Sequence, residues 1–214
     1  MNASRVTTVG LVGMIGAGKT TVAHRLGEHG AAIIDADELA HEALDDPQVQ
    51  QQLRARFGPS IFAGDGTVQR KLLAGLVFGT HPDQPANLAA LEAVVHPWVR
   101  AAIERRLAAA APGGVVVLDV PLLVQAGWHT RCDRLIQIVC EDAVRHARLA
   151  ARGLSPADIA AREAAWRKGF SPAALAGLPG WTVDTSAGLA YTQEQVDRVW
   201  QELSSRSAGR VDSQ

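Results

Sequence analysis

An α/β fold built around a parallel sheet is predicted by three features of the 214-residue sequence. A β-branched, apolar run, Thr7 to Val12, is followed by a glycine-rich loop and then by a helical pattern from Thr20 to Glu28. A second buried strand, Ala31 to Asp35, follows directly. The chain therefore begins with a βαβ unit, the unit from which parallel sheets are built. Two further apolar strands are predicted within Pro112 to Leu123 and at Arg134 to Cys140, so at least four strands are expected.

The sequence predicts a helical insertion in the middle of the chain. The pattern is mostly helical from Leu39 to Ala111, with Asp46 as a cap and Pro47 in the first turn of one helix. A loop rich in turn residues interrupts it at Gly58 to Val68. Pro97 is expected to start or kink the helix that contains it.

The last third of the chain is predicted to contain two helical regions. The first, Glu141 to Arg167, is interrupted at Gly153 to Pro156. The second runs from Gln193 to Leu203, with Thr192 as its cap. The polar tail from Ser204 is expected to be disordered.

Composition excludes several classes of protein. A formal net charge of −1 provides no overall field that would gather nucleic acid or an anionic membrane. No long apolar run and no signal-peptide pattern are present, so a soluble protein is expected. The two cysteines, Cys132 and Cys140, form no CxxC pair, which favours a reduced, cytoplasmic location. No obligate protein partner is evident.

The segment GMIGAGKTTV contains the pattern G-x-x-x-x-G-K-[ST], placed between the first strand and the first helix as a phosphate-binding loop requires. Backbone N–H groups and the helix N-terminus attract phosphate, and the lysine adds a point charge. The alternative is a glycine turn with an exposed lysine, but pattern and placement agree independently. The predicted ATP-binding residues of this segment are Gly13, Gly16, Ala17, Gly18, Lys19, Thr20 and Thr21.

Acidic residues follow two of the predicted strands, at the sheet edge where α/β proteins build their sites. Asp35 and Asp37 come after the second strand, where strand alternation lets one face the site while the other braces it. Asp119 ends the strand VVVLD and suits Mg²⁺, with Thr20 as the other protein ligand. A solvated carboxylate at a strand end is the alternative for Asp119.

Arginines cluster around the break in the predicted helix after residue 141. Arg148, Arg152 and Arg162 could reach a transferring phosphate from a mobile flap, or could simply form a solvated helix face. Trp166 and Trp181 could stack on a base, but we interpret both as packing residues.

These motifs together resemble the dephospho-CoA kinases. The similarity includes IDADELAHEAL, RFGPSIF, DGTVQRKLLAGLVF, LEAVVHP, LDVPLL and ARLAARGLSPADIAAR, and covers most of residues 8 to 165. It implies a P-loop NTPase three-layer sandwich with a parallel sheet, a helical CoA-binding insertion and a lid. It also implies transfer of the ATP γ-phosphate to the ribose 3′-hydroxyl of dephospho-CoA, with Mg²⁺. The chain departs from the family at Trp166 and in Gly180 to Gly188, a region that includes the last strand of the family.

The resemblance assigns roles by position. Asp37 would be the base, Lys19 the phosphate lysine, and Arg148 with Arg152 the lid cations. For His96, a structural hydrogen bond is the alternative to substrate binding. The implied core is about 1–40, 97–147 and 175–204 within one unit, with the insertion at 41–96, the lid at 148–174 and a tail at 205–214. The implied acceptor-binding residues are Asp37, Arg70, His96, Pro97, Pro121 and Leu122.

Three other functions compete with this interpretation. Another small-molecule kinase, of the nucleoside or shikimate type, would share the phosphate-binding loop and lid. A GTPase-like switch or transport ATPase is disfavoured because the sequence lacks N-K-x-D and L-S-G-G motifs. A binding module without catalysis is disfavoured because Lys19, Asp37 and Arg148 are all present.

Overall fold

The computed structural model describes residues 5–78, 83–170 and 175–208. The chain divides into two compact units, one formed by Met1–Asp35 with Ala109–Gln214 and the other by Ala36–Ala108. In chain order the elements are β1 (Thr7–Val12), α1 (Lys19–Glu28), β2 (Ala32–Asp35), α2 (Ala36–Ala43), α3 (Pro47–Phe57), α4 (Arg70–Phe78), α5 (Gln84–Ala108), β3 (Val115–Asp119), β4 (Arg134–Val139), α6 (Asp142–Ala151), α7 (Pro156–Gly169), β5 (Gly180–Asp184) and α8 (Leu189–Ala208).

The first unit contains a five-stranded sheet in the order β2-β3-β1-β4-β5, and every pairing is parallel. The predicted α/β class and the four strands read from the sequence are therefore confirmed. The last strand of the family, which only the resemblance implied, is present as β5 at the sheet edge.

Side chains on both faces of the sheet are buried, as a parallel sheet requires. On one face, Val9 and Leu11 of β1 pack against Val22 and Leu26 of α1, in a cluster that α8 also joins. Leu118 of β3 alternates with this set and is fully buried on the other face. β1 is the central strand of this sheet. The glycine-rich loop, which begins at the carboxyl end of β1, is therefore anchored in the middle of a well-packed sheet.

The second unit is helical and has its own apolar core. Asp46 caps α3 by accepting hydrogen bonds from the N–H groups of Gln48 and Val49, at 2.9 and 3.1 Å, which confirms the predicted cap. Its core packs residues from α2, α3, α4, α5 and the segment between α3 and α4: Ala43, Leu44, Val49, Leu53, Ile61, Phe62, Leu73, Val77 and Val95.

Helix boundaries in and around the second unit differ from the sequence expectations. Helix α2 begins directly after β2, so Asp37 lies in a first helical turn and the strand alternation expected for Asp35 and Asp37 does not apply. Pro97 does not start a helix, because α5 runs from Gln84 through it to Ala108. The alternative expectation, a kink at Pro97, stays a prediction. A single missing N–H is tolerated within this 25-residue helix. The second unit spans Ala36–Ala108, and the CoA-binding insertion at 41–96 stays a prediction.

The C-terminal helix also differs from expectation. Helix α8 begins at Leu189, after Gly188, so Thr192 is not a cap but lies buried in the first turns. It continues to Ala208, so the tail expected to be disordered is helical over 205–208, whereas 209–214 lie outside the described residues. The predicted interruption at Gly153 to Pro156 is confirmed, since it separates α6 from α7.

A polar cluster joins α1 to α8. The carboxylate of Asp197 accepts hydrogen bonds from Arg25 Nε at 2.7 Å and Nη2 at 2.8 Å, and Nε2 of His29 lies 2.6 Å from it. The His29 ring also stacks on Trp200, with centroids 5.6 Å apart. Hydrogen bonds from Arg25 and then His29 lower the pKa of Asp197 from 3.8 to about 2.

We expect acid to weaken this cluster. Because the pKa of Asp197 is lower in the folded chain than in the unfolded chain, its contribution is complete above about pH 4 and is lost as the pH falls toward 2. The free energy of unfolding should therefore differ between wild type and Asp197→Asn above pH 4, and the difference should shrink below it. Urea unfolding at several pH values tests this, and a pH-independent difference would contradict it.

None of the helices in the described part of the chain combines the length and the apolar character that a membrane span needs.

Candidate active site

The glycine-rich loop joins β1 to α1 and has the backbone geometry of a phosphate cradle. Gly16 and Gly18 have φ values of 77° and 92°, which residues with a side chain rarely adopt. Gly18 immediately precedes α1, so the loop ends at a helix N-terminus. A Cβ on Gly13 would lie 2.9 Å from the carbonyl oxygen of Ile138, so this position has no room for a larger residue.

Three side chains hold alternate carbonyl groups of this loop. Lys19 Nζ donates to the Gly13 oxygen at 2.9 Å, Arg145 Nη1 donates to the Ile15 oxygen at 3.3 Å, and Thr185 Oγ1 donates to the Ala17 oxygen at 2.7 Å. The C=O and N–H bonds of one trans peptide group point in opposite directions. Holding the carbonyls of residues 15 and 17 therefore orients the N–H groups of Gly16 and Gly18 away from Arg145 and Thr185, as a cradle for phosphate oxygens requires.

Arg148 reaches the loop indirectly. It lies within α6 rather than between α6 and α7, and its Nη2 donates to the Thr185 carbonyl at 2.6 Å while its Nη1 donates to Thr185 Oγ1 at 3.2 Å. The structure thus brings Arg148 to Thr185, which in turn holds Ala17. Arg152 is exposed at the C-terminus of the same helix.

Arg145 is a fully buried charge beneath the loop, with only 1% of its surface exposed. Its guanidinium forms ion pairs with Glu163 of α7 and, at 2.6 Å, with Asp142. Burial raises the pKa of Glu163, but hydrogen bonds with His146 and Arg145 outweigh that effect, so its pKa lies below the usual value. Burial likewise lowers the pKa of Arg145, and hydrogen bonds to Asp142 and Glu163 more than reverse this. Both groups are therefore charged.

The C-terminal end of α7 lies beside the loop. Trp166 and Phe170 stack with ring centroids 4.3 Å apart, and both line a cavity of about 170 Å³ with Gly13 and Met14. The Trp166 carbonyl accepts a hydrogen bond from Gln125 Nε2 at 2.8 Å. Trp166 therefore packs against the ring of Phe170, and its interpretation as a packing residue rather than a base-stacking one stays a prediction.

Two aspartates end adjacent strands of the sheet. Asp35 of β2 and Asp119 of β3 are paired in register, so their side chains leave the sheet on the same face. Asp119 is buried and Asp35 half-buried, whereas Pro121 and Leu122 are exposed just after β3. Within residues 5–78, 83–170 and 175–208, no group of three or more His, Cys, Asp or Glu side chains forms a metal site. Carboxylate and hydroxyl oxygens such as those of Asp119 and Thr20 suit Mg²⁺, which typically uses one or two carboxylates plus substrate phosphates.

The second unit contains the remaining predicted site residues. Arg70 and His96, which are 26 positions apart, line one cavity of about 350 Å³ whose walls are mainly apolar. His96 also lines a neighbouring groove of about 440 Å³ with Pro97 and Arg100. Asp37 is exposed in the first turn of α2, where the helix dipole stabilises a negative charge.

The Thr185 hydroxyl should matter for nucleotide binding. Replacing Thr185 with valine keeps the shape but removes the donor that holds the Ala17 carbonyl. Losing a buried hydrogen bond of this kind should raise the KM for ATP and the Kd for ADP by about 5- to 30-fold. Isothermal titration with ADP measures the effect, with Thr67→Val, a change at an exposed turn of the other unit, as the control. Equal ADP affinities in wild type and Thr185→Val would contradict it.

Sequence reasoning missed Arg145, Glu163 and Thr185. Arg145 had one usable signal, because it stands four residues before the buried Leu149 and hence on the apolar face of α6. No local signal marks Glu163 or Thr185, which meet their partners through contacts 18 and 168 residues apart in sequence.

Comparisons with known proteins agree on one family. A family model described as dephospho-CoA kinase matches residues 7–168. Among curated relatives, the dephospho-CoA kinase of Symbiobacterium thermophilum is 38% identical over 90% of this chain and 79% of its own length. That of Thiobacillus denitrificans is 36% identical over 95% and 98%.

Solved structures show the same fold. The crystal structure of TT1252 from Thermus thermophilus has a TM-score of 0.69 and 32% identity, covering 94% of this chain and 99% of its own. The dephospho-CoA kinase from Campylobacter jejuni has a TM-score of 0.66 and 20% identity, covering 94% and 98%. The shikimate kinase from Acinetobacter baumannii, at a TM-score of 0.50 and 16% identity over 94% of both chains, shares the fold alone. The expected P-loop kinase fold is confirmed.

Proposed function

The chain belongs to the dephospho-CoA kinase family, which catalyses the ATP-dependent last step of coenzyme A synthesis, and we propose how its own residues carry out that reaction. The γ-phosphate of ATP is transferred to the ribose 3′-hydroxyl of dephospho-CoA. The observation that supports this most directly is the glycine-rich loop, whose alternate carbonyls are held so that the N–H groups of Gly16 and Gly18 are oriented together.

The loop and the start of α1 form the donor half of the proposed site. The N–H groups and the helix N-terminus bind the β- and γ-phosphates, and Lys19 moves its ammonium group from the Gly13 carbonyl to the phosphate oxygens. Arg148 and Arg152 supply further positive charge from α6. The loop residues involved are Gly13, Gly16, Ala17, Gly18, Lys19, Thr20 and Thr21.

Mg²⁺ is the proposed cofactor. The Thr20 hydroxyl and the Asp119 carboxylate would hold it, and the in-register pairing of Asp35 with Asp119 offers a further oxygen donor at the same edge of the sheet. When bound with ATP, Mg²⁺ neutralises phosphate charge.

Asp37 is the proposed general base. It accepts the proton of the 3′-hydroxyl as that oxygen attacks the γ-phosphorus, and the bond from the γ-phosphorus to the β–γ bridging oxygen breaks to release ADP. Its place two residues after the carboxyl end of β2, together with the family resemblance, supports this role. Lys19 and Arg148 stabilise the negative charge of the transferring group.

The helical unit is proposed to bind the acceptor. Dephospho-CoA carries an anionic diphosphate next to a long, uncharged pantetheine arm. The cavity of about 350 Å³ offers matching chemistry, because Leu73, Val77 and Leu91 line it together with Arg70 and His96. Pro97, Pro121 and Leu122 stay predicted acceptor contacts.

Substitution of Arg70 tests this assignment. We expect Arg70→Ala to raise the KM for dephospho-CoA about 10-fold or more, because a charge-assisted contact to the diphosphate is lost, with little change in the KM for ATP. Steady-state kinetics with each substrate varied in turn would show the split. Arg54→Ala, a change on α3 at a residue that does not line the cavity, is the matched control. An equal rise in both KM values would contradict the assignment.

The experiment that tests the function itself is a coupled assay of ADP release. Dephospho-CoA should support turnover, whereas shikimate, free nucleosides and small alcohols should not. Product analysis should place the new phosphate on the ribose 3′-oxygen. Absence of ADP release with dephospho-CoA, or faster turnover of another acceptor, would overturn the proposal.

The proposed reaction takes place in the cytoplasm. Its proposed partners are ATP and dephospho-CoA, without nucleic acid, a membrane or an obligate protein partner. The sequence supports the cytoplasmic location, because Cys132 and Cys140 form no CxxC pair and disulfides are rare in cytoplasmic proteins. Burial raises the pKa of the Cys132 thiol to about 12, which suits a packing residue.

A further inference from the structure

We propose that the buried pair Arg145–Glu163 positions the phosphate-binding loop, with Glu163 of α7 orienting Arg145 and Arg145 in turn fixing the peptide group between Ile15 and Gly16. Neither residue touches the nucleotide in this scheme. Both are positioning residues whose effect reaches ATP through the loop. The inference rests on the proposed binding of nucleotide phosphates by that loop.

Stability alone does not account for a charged pair at this place. The side chains of Arg145 and Glu163 are only 2% and 9% exposed. Burying two charges costs desolvation energy that the ion pair roughly repays, and a well-packed apolar pair of similar size commonly gives equal or greater stability. The pair offers something that an apolar pair does not, namely directed hydrogen-bond donors under the loop.

The contacts of Arg145 divide between the loop on one side and, on the other, the carboxylates of Glu163 on α7 and Asp142 on α6. On the loop side, Nη1 donates to the Ile15 carbonyl at 3.3 Å, and the aliphatic stem supports Gly16 so closely that a Cβ there would lie 3.0 Å from Cγ of Arg145. On the other side, Nη2 pairs with Glu163 and Asp142. The guanidinium is planar, so fixing Nη2 also fixes where Nη1 points.

Glu163 is itself held firmly. Its Oε1 lies 2.8 Å from Nε2 of His146, and its Oε2 accepts from Arg167 Nη2 at 3.2 Å. The position of α7 therefore sets the position of the Glu163 carboxylate, which orients the Arg145 guanidinium, which in turn holds the Ile15 carbonyl. Because that peptide is planar, the direction of the Gly16 N–H follows.

The first experiment uses two conservative variants that keep the fold. Glu163→Gln retains an acceptor but removes the charge, and Arg145→Lys retains the charge but cannot supply two fixed donors. We expect both to raise the Kd for ADP and the KM for ATP about 10- to 100-fold, as for loss of a charge-assisted hydrogen bond, while the KM for dephospho-CoA stays within about twofold. Glu194→Gln, the same change at an exposed site on α8, is the matched control.

The second experiment separates positioning from stability. The double variant Arg145→Met/Glu163→Met replaces the pair with apolar side chains, so its free energy of unfolding should approach that of wild type. Its affinity for ADP should stay as low as that of the single variants. A purely structural pair predicts instead that ADP affinity recovers together with stability.

The measured ADP affinities either support or overturn the positioning role of the Arg145–Glu163 pair. Recovery of ADP affinity in the double variant, or wild-type ADP affinity in both Glu163→Gln and Arg145→Lys, would overturn the proposal. Wild-type protein that does not bind ADP at all would contradict the proposed function instead, so the two failures are distinguishable.

Discussion

Replacing Asp37 with asparagine is expected to reduce kcat by about 10²- to 10⁴-fold, the usual contribution of a general base. Asparagine has nearly the same shape but cannot accept the proton of the attacking hydroxyl. A thousandfold loss corresponds to about 4 kcal/mol of lost transition-state stabilisation. Nucleotide affinity should hardly change, because Asp37 has no proposed contact with ATP.

Two measurements test the prediction for Asp37→Asn. Coupled ADP release gives kcat, and calorimetric titration gives the Kd for ADP. Asp45→Asn, at an exposed position after α2, is the matched control and should have wild-type kcat. Turnover of Asp37→Asn close to the wild-type value would remove Asp37 from the base role, and loss of ADP binding would indicate a misfolded variant or a donor-side role instead.

Replacing Lys19 with alanine should reduce kcat by about 10²- to 10³-fold and also weaken ATP binding. The lysine charge meets the phosphates in the ground state and, more strongly, in the transition state, so both KM and kcat change. The same ammonium donates to the Gly13 carbonyl at 2.9 Å, a contact that it exchanges for the phosphate oxygens in the proposed site. Alanine therefore removes the charge that meets the phosphates.

The comparison of Lys19→Ala with Arg198→Ala isolates this effect. Arg198 is an exposed cation on α8 and forms no part of the proposed site. Steady-state kinetics should show a large change for the first variant and none for the second. Unaltered kinetics in Lys19→Ala would refute the assignment of the phosphate-binding loop.

Local patterns account for the parts of the fold that the sequence predicted correctly. Four strands, the break between α6 and α7 and the Asp46 cap all depend on residues a few positions apart. The failures lie at boundaries. Thr192 was predicted to cap a helix and Pro97 to start or kink one, but Thr192 is buried within α8, and α5 begins at Gln84, well before Pro97.

The residues of the candidate site also divide into those that the sequence predicted and those whose contacts only the structure shows. The motif from Gly13 to Thr20 predicted the phosphate-binding loop, and the family resemblance led to Arg70 and His96, which the structure places at one cavity. Arg148 was predicted as a cation of the lid, yet the structure shows it donating to Thr185. Its catalytic role stays a prediction.

The sequence by itself determined that a nucleotide phosphate is bound, because a strand, a glycine-rich loop, a lysine and a helix form one continuous segment, and its resemblance to one family indicated the acceptor. Only the tertiary structure decided how that loop is held. Arg145 and Thr185 reach the carbonyls of Ile15 and Ala17 across 130 and 168 residues of chain. Such contacts depend on strand order and helix placement, for which no local pattern of residues provides a signal.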